Sequence, residues 1–445
     1  MPSQNSNLIV EIFQKLLQKN NTNAYRISKE QDIDKAYLSK LFSGAIAKPG
    51  KNKLAVIAKA LNIELEPLQL VFSNPEIAIQ ELSLENIELD LNLSPNIRSK
   101  HDWGAAPDGI VCYGRKSEMI DLQRLIKINC CRVLTIFGMG GIGKTTLAME
   151  IARQLETEFD HILWRTLTHI SLVEVVIQDA LRLFGNKKPE ATISQQIANL
   201  LQYLRDRRCL LILDQVETIL STGNALDIYQ NGYEFYGELF KQIAETNHQS
   251  CLVLVSNEKP KDISILEGDS ASIYSWQLKG STAVCYKILQ YKEMIPSPAW
   301  DELIAAYREH PLAIKIVGSM IKELFDGNVS EFLRLNTLFL GDLEFILHEQ
   351  YYRLSDSEKY IVNIIAQMNK PLSLQELSEQ YATKLRASEI MNSLNNLKRR
   401  SLIEIIVGDK SWQKSFVPLS QEVQINKINF YTIQPVVRKY ITSQT

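Results

Sequence analysis

The sequence predicts a multidomain protein built around a parallel α/β sheet with helices on both faces. An all-α domain precedes the sheet, and helical and winged-helix segments follow it. Three observations carry that reading. A chain of 445 residues exceeds what one hydrophobic core holds and points to about three domains. From about 111 to 280, short apolar runs alternate with helix-patterned stretches, the pattern of parallel strands covered on both faces. Finally, Gly138-Met139-Gly140-Gly141-Ile142-Gly143-Lys144-Thr145-Thr146 stands between an apolar run, Val133 to Phe137, and residues at helical spacing, Leu147, Ala148, Ile151, Ala152 and Leu155.

In chain order, residues 1–72 read as a small helical domain. Between 8 and 72 ten lysines and arginines stand against six acids, a local basic excess. Residues 73–110 turn acidic and irregular, with Glu76, Glu81, Glu85, Glu88 and Asp90 before Ser94-Pro95 and Ala106-Pro107-Asp108-Gly109, and read as a linker. The α/β domain spans 111–280, with strands expected at Val133 to Phe137, Ile162 to Trp164, Cys209 to Leu213, Leu252 to Ser256 and Ile273 to Leu278. Helices are expected over Thr282 to Tyr291, Ala299 to Tyr307 and Leu312 to Phe325, giving a helical domain at 281–345. Over 346–445, helices around Glu358 to Met368, Leu374 to Gln380 and Ser388 to Arg399 precede two short strands, Leu402 to Ile406 and Asn429 to Ile433. Three helices closed by a two-stranded ribbon make a winged-helix pattern.

The G-x-x-x-x-G-K-[ST] loop has a definite chemistry. Gly138, Gly140, Gly141 and Gly143 let backbone N–H groups turn inward without Cβ clashes, with Ile142 among them. Lys144 reaches phosphate oxygens, Thr145 offers its hydroxyl to Mg²⁺, and Thr146 continues into the helix. Leu210 to Leu213 is an apolar strand ending in Asp214, placed to hold Mg²⁺ beside the phosphates. Glu217 is the next acid that could orient an attacking water; a solvated loop acid fits the pattern equally well.

Composition narrows the remaining classes. A formal charge of −2 argues against a uniformly basic nucleic-acid coat. The six cysteines show no C-x-x-C spacing, so a disulfide frame or zinc site is not expected. No apolar run reaches the roughly 18 residues that span a bilayer, and the polar start Met1 to Ser6 lacks a secretory pattern. The expectation is a cytoplasmic protein.

Several elements together resemble the NB-ARC branch of the STAND signalling ATPases. They are Tyr113-Gly114-Arg115, Gly138 to Thr146, Leu163-Trp164-Arg165, Leu210 to Asp214, Ser256-Asn257-Glu258-Lys259-Pro260 and His310-Pro311-Leu312-Ala313, in that branch's order and spacing. Asp102-Trp103-Gly104, Ala106-Pro107, Gly232-Tyr233, Tyr236-Gly237 and Gln434-Pro435 are similar to its bacterial members. The resemblance implies that ADP or ATP binds with Mg²⁺. Lys144 and Thr145 would hold phosphates and metal, Asp214 would coordinate the metal, Tyr113, Gly114 and Arg115 would lie near adenine, and Pro311 would pack on the base. Gln434 stands where many relatives place a histidine that touches the ADP β-phosphate. Asn257 stands where relatives commonly place a γ-phosphate-sensing arginine, with Arg165 and Lys259 as substitutes, and Gln215 replaces a second acid. These departures imply slow or absent hydrolysis and weaker discrimination between ATP and ADP.

Ile27-Ser28 and Asp32 to Gly44 resemble the helix-turn-helix of lambda-repressor-like regulators, with Asp32 in place of the usual turn glycine. That resemblance places Lys35, Tyr37, Ser39 and Lys40 on or near a face offered to DNA. A small helical adaptor contacting protein remains the alternative. The expected function is a nucleotide-controlled switch that opens and oligomerises with ATP; the alternative is a DNA-binding transcription regulator with a nucleotide-sensing domain. Relatives carry a repeat sensor after the winged helix, so with the sequence ending at Thr445 the sensing is expected from a partner protein or a longer chain.

Overall fold

The computed structural model of the protein describes residues 12–13, 16–17, 24–31, 33–42, 46, 49–61, 63–73, 78, 101–108, 112–167, 172–185, 192–223, 228–267, 272–368, 370–381, 384–408 and 428–444. The chain divides into two compact units, Met1–Asn96 and Ile97–Thr445.

In the first unit, helices α1 (Ala24–Gln31), α2 (Lys35–Phe42), α3 (Lys51–Ala60) and α4 (Leu65–Ser73) enclose a core of Ile27, Leu38, Leu41, Leu54, Ile57, Leu61, Leu68 and Val71, joined by Ile12, Phe13 and Leu16. The turn between α1 and α2 is closed from both directions. Ile33 N donates to the Ser28 carbonyl at 3.3 Å, and Ser28 Oγ donates back to the Ile33 carbonyl at 2.7 Å. Asp32 itself lies outside the described residues.

The second unit begins with a six-stranded sheet in the order β1-β3-β4-β5-β2-β6, every pairing parallel. Its strands are β1 (His101–Asp102), β2 (Val133–Phe137), β3 (His161–Thr166), β4 (Cys209–Asp214), β5 (Cys251–Ser256) and β6 (Ile273–Gln277). Every residue of β4 and β5 is buried, which is why these central strands read as unbroken apolar runs. Helices α5 (Lys116–Lys127), α6 (Lys144–Gln154), α7 (Val173–Leu183), α8 (Ile193–Asp206), α9 (Phe235–Glu245) and α10 (Lys261–Leu266) connect them. Alternate side chains serve opposite faces. Leu211, Leu213, Leu252 and Leu254 pack with α7, α8 and α9, whereas Ile136, Ile212, Val253 and Val255 pack with α5 and α6. The sequence pattern places residues 101 and 102 in a linker. They form the edge strand β1, pairing His101 with Ile162 and Asp102 with Leu163, and two residues are too few to show a period.

Beyond the sheet come α11 (Thr282–Tyr291), α12 (Ala299–Ala306), α13 (Pro311–Leu324), α14 (Val329–Leu333), α15 (Leu343–Tyr352), α16 (Asp356–Gln367), β7 (Leu372–Ser373), α17 (Leu374–Tyr381), α18 (Ala387–Arg399), β8 (Glu404–Gly408), β9 (Ile428–Thr432) and α19 (Pro435–Gln444). The last strands form a three-stranded antiparallel sheet, β7-β9-β8, where the sequence showed only a two-stranded ribbon. One continuous core runs through all these helices, from Cys285, Leu289, Ile314 and Val317 through Leu343 and Leu347 to Ile361, Leu394, Val436 and Tyr440. Met139, from the glycine loop, is part of the same core. The loop is therefore seated between the sheet and the carboxyl-terminal helices.

Because Leu254 is fully buried in the central strand β5, Leu254→Ala is expected to destabilise the second unit by about 2–5 kcal/mol. Denaturant unfolding of the full chain followed by circular dichroism measures it.

Candidate functional site

A cleft of about 560 Å³ opens where β2, β4 and β5 end, lined among others by Tyr113, Arg115, Gly140 to Thr146, Asp214, Glu217, Asn257 and Pro311. That size suits a cofactor, and the carboxyl ends of parallel strands are where such sheets take ligands.

The loop backbone explains its glycines. Gly141 and Gly143 have φ of 77° and 100°, a left-handed region that favours glycine. A Cβ on Gly140 would run into Ile346 of α15, and one on Gly141 would meet Leu312 Cδ2 of α13 at 2.6 Å. Gly138 packs against the Leu278 carbonyl, behind the cleft.

Lys144 Nζ donates to the carbonyls of Gly138 at 3.0 Å and Met139 at 2.9 Å and to Asn257 Oδ1 at 2.7 Å. Burial pulls its pKa down to about 8, against the attraction of Glu217 and Asp214. Thr145 Oγ1 donates to Asp214 Oδ1 at 3.1 Å. Burial pushes the Asp214 carboxyl up to about 6, opposed by the Thr145 hydrogen bond. A hydroxyl and a carboxylate side by side are hard oxygen donors. They suit Mg²⁺, which keeps several water and phosphate ligands and needs few from the protein. Among the described residues no three His, Cys, Asp or Glu side chains are grouped so as to hold a metal ion.

Asn257 is bonded on both sides. Besides accepting from Lys144, it donates through its backbone N to Glu217 Oε2 at 3.0 Å and through Nδ2 to Glu217 Oε1 at 2.6 Å. Both carboxylate oxygens of Glu217 are thereby engaged. This pattern also fixes the amide orientation, because flipping it would set an NH₂ group against an ammonium.

Arg115 is nearly buried and acts as a strap. Its NH2 donates to the carbonyls of Ile142 at 3.1 Å and Lys279 at 2.8 Å, and its NH1 pairs with Glu118 at 2.8 Å. Tyr113 lies on the rim near Val284 and Ile288, and Gly114 turns the chain with φ of 63°, where a Cβ would meet Val284 N.

Other expected residues are elsewhere. Gln434 is not part of the cleft lining; its Nε2 donates to Glu404 Oε1 at 3.2 Å, and Glu404 faces Arg308 at 3.6 Å. Arg165 is held by Asp102 at 2.6 Å and Asp179 at 2.9 Å, and Lys259 pairs with Glu267. Neither of these cations lines the cleft. In the first unit Lys40 is exposed on α2, and Tyr37 is partly covered, with Lys53 Nζ 4.0 Å from its ring centre. Lys35 and Ser39 lie on the same helix, their side chains outside the described residues.

Sequence reasoning missed His310 as a site residue, along with the lining side chains Lys315, Ile346 and Glu349. His310 is fully buried and caps α13, accepting from Ala313 N on Nδ1 at 3.2 Å, so its Nε2 carries the hydrogen that meets the Gly140 carbonyl at 2.9 Å. A histidine directly before a proline at a helix start was a legible capping signal; its contact with a loop 170 residues away was not.

A parallel sheet with a G-x-x-x-x-G-K-T loop after β2 and an acid at the end of β4 defines the class: a P-loop nucleotide-binding domain. Residues 117–227 match the NB-ARC domain family, so the chain carries an NB-ARC domain. It is 35% identical over 360 residues to an uncharacterized WD repeat-containing protein, alr2800, of Nostoc sp., a match covering 77% of this chain and 27% of that protein. The disease resistance protein RPV1 of Vitis rotundifolia is 23% identical over 272 residues, covering 58% of this chain and 18% of that protein. The chain thus spans about a quarter or less of these relatives' length. Among solved structures, the Walker-type ATPase paby2304 of Pyrococcus abyssi aligns with a TM-score of 0.46 at 14% identity, covering 74% of this chain and 96% of that one. Among the described residues no helix is long and apolar enough to cross a membrane.

Burial, and secondarily the charge of Lys144, lower the His310 pKa from 6.5 to about 4. A depressed folded-state pKa gives stability that is present above pH 6.5 and lost as pH falls through 4, on the order of 3 kcal/mol. Replacing His310 with Gln should flatten that part of the stability–pH curve, measured by denaturant unfolding at pH 4, 5, 6 and 7.

Proposed function

We propose that the protein is a STAND-type signalling switch of the bacterial kind, in which ADP or ATP with Mg²⁺ in the NB-ARC cleft sets whether the carboxyl-terminal segments stay packed on the sheet. The observation that carries this reading is the placement of the glycine loop, which shares a core with α11 to α19 through Met139 and is touched by His310 and Ile346. A phosphate on that loop acts on both halves of the unit at once. On this reading the parts are a helix-turn-helix domain at 1–72, a linker at 73–110, the nucleotide domain at 111–280, a helical domain at 281–345 and a winged helix at 346–445. Lys144 binds phosphate, Thr145 and Asp214 hold Mg²⁺, Tyr113 and Pro311 flank the base, and Mg²⁺ neutralises phosphate charge. ATP favours an opened chain that self-associates in the cytoplasm.

Chemistry in this cleft is slow. Glu217 is the acid available to orient water, and both its oxygens are bonded to Asn257. We expect turnover well below ~1 s⁻¹, the lower end of ordinary enzymes. The amino-terminal unit is the output, a DNA-binding helix pair with Lys40 exposed on its second helix. The alr2800 protein carries WD repeats by name, which favours a repeat sensor or a sensing partner as the input.

Lys144→Ala should weaken Mg-ADP binding by roughly 10- to 100-fold, the loss expected when charge-assisted hydrogen bonds to phosphate disappear. Unchanged affinity by calorimetry would sink the assignment. Asn257→Arg should strengthen the preference for ATP over ADP, since a guanidinium pairs with phosphate oxygens in a fork that an amide cannot form; competition binding on both forms decides it. Gel shifts of the full chain on duplex DNA at low salt should show binding that Lys40→Glu weakens. No binding even there would favour a protein-contacting adaptor.

A further inference from the structure

Residues 257, 258 and 259 join two sites. Asn257 faces the phosphate cleft, bonded to Lys144 and Glu217. Glu258 turns the other way, into the contact with the carboxyl-terminal segment. Its side chain is 4% exposed, with Oε1 2.6 Å from Arg353 NH2 and Oε2 2.9 Å from Arg400 NH1. Arg400 also faces the equally buried Glu358 at 3.7 Å, and Glu358 caps its own helix through the Ser355 N–H. Arg353 reaches the Leu220 carbonyl at 3.3 Å, and its own carbonyl accepts from Gly223 N at 3.1 Å. The next residue ties down as well. Lys259 N donates to the Arg399 carbonyl at 3.0 Å, and Arg399 Nε donates back to the Lys259 carbonyl at 3.0 Å.

We propose that the buried cluster of Glu258, Arg353, Arg400 and Glu358 is the latch that holds the carboxyl-terminal segment on the nucleotide domain, and that Asn257 couples it to the phosphate site. The coupling half rests on the nucleotide-switch reading; the latch half does not. The physical basis is the pairing of largely buried charges across the contact. Glu258 pairs with two guanidinium groups and Arg400 also faces Glu358, while Arg399 and Lys261 add positive charge close by. Separating the surfaces breaks both Glu258 pairs, and removing Glu258 leaves that positive charge uncompensated. The coupling follows from a shared partner. A phosphate that takes the Lys144 ammonium displaces Asn257 Oδ1 from it, and an adjusted Asn257 backbone moves Glu258, which must keep two guanidinium groups in place at once. The latch therefore senses the phosphate through the chain itself and needs no contact from Gln434, which is bonded to Glu404 instead.

The test uses the full chain with Glu258→Gln, Arg400→Gln and the double variant, plus Arg353→Lys as a milder change that keeps the charge. Hydrodynamic radius is measured without nucleotide, and release of a fluorescent ADP analogue is followed by stopped flow. Glu258→Gln should enlarge the radius and speed ADP release by roughly tenfold or more, as truncating a buried charge pair does at interfaces. The double variant should release ADP no faster than the worse single one, because the residues act as one cluster. Arg353→Lys should give a smaller change in the same direction. A folded Glu258→Gln protein with wild-type radius and release, or fully additive effects, overturns the latch. Should Glu258→Gln fail to fold, Arg353→Lys decides: unchanged radius and release overturn the proposal. If the wild-type chain binds no ADP analogue, the nucleotide reading fails, while the radius measured without nucleotide still decides the latch. An enlarged radius with unchanged ADP release keeps the latch and overturns the coupling through Asn257.

Discussion

Close packing around the backbone of residues 138–143 is the constraint on which the rest of the second unit depends. The loop has the Leu278 carbonyl, just past the end of β6, on one side and α13 and α15 on the other, where Leu312 and Ile346 leave no room for side chains on Gly141 and Gly140. Arg115 holds the Ile142 carbonyl and His310 the Gly140 carbonyl. Elements far apart in sequence therefore converge on one short backbone segment, and each loses a hydrogen bond or a packed contact if that segment moves. Packed interiors respond to such a shift as a rearrangement between discrete states.

The electrostatics of the cleft follow from the same packing. Lys144 is buried among carbonyls and lowered to a pKa of about 8, while Asp214 is buried and raised to about 6. Both shifts come mainly from desolvation, which disfavours the charged form of either group. An anionic ligand with a divalent cation reverses both penalties at once, since it gives the ammonium a partner and the carboxylate a metal. The opposite shifts of Lys144 and Asp214 thus share one cause.

Asn257 gives the site its particular character. A short amide can bridge an ammonium and a carboxylate, because its two ends have opposite hydrogen-bonding polarity. An arginine there would lack the acceptor that Lys144 uses. Its neighbour Glu258 points into the contact with Arg353 and Arg400, and the Lys259 backbone bonds Arg399, so one tight stretch after β5 faces two partners. The continuous core from α11 to α19 makes that partner surface respond as a body.

Much of this architecture was legible in the sequence. Five of the six parallel strands were legible, four of them as apolar runs, because strands covered on both faces cannot alternate. The loop showed because glycines spaced ahead of a lysine, between a strand and a helix, are what a backbone cradle for phosphate requires. Asp214 showed because a strand end fixes where its side chain stands. What the sequence left open depends on contacts between distant segments. The edge strand β1 is too short to carry a pattern, and the third strand of the small sheet is only two residues. Arg115, His310 and Asn257 are ordinary residue types whose partners are decided by tertiary packing, as is the pairing of Gln434 with Glu404. Local composition determines which segments become strands, loops and helices; only the folded chain decides which buried charge faces which, because burial and partnership are properties of the assembled interior.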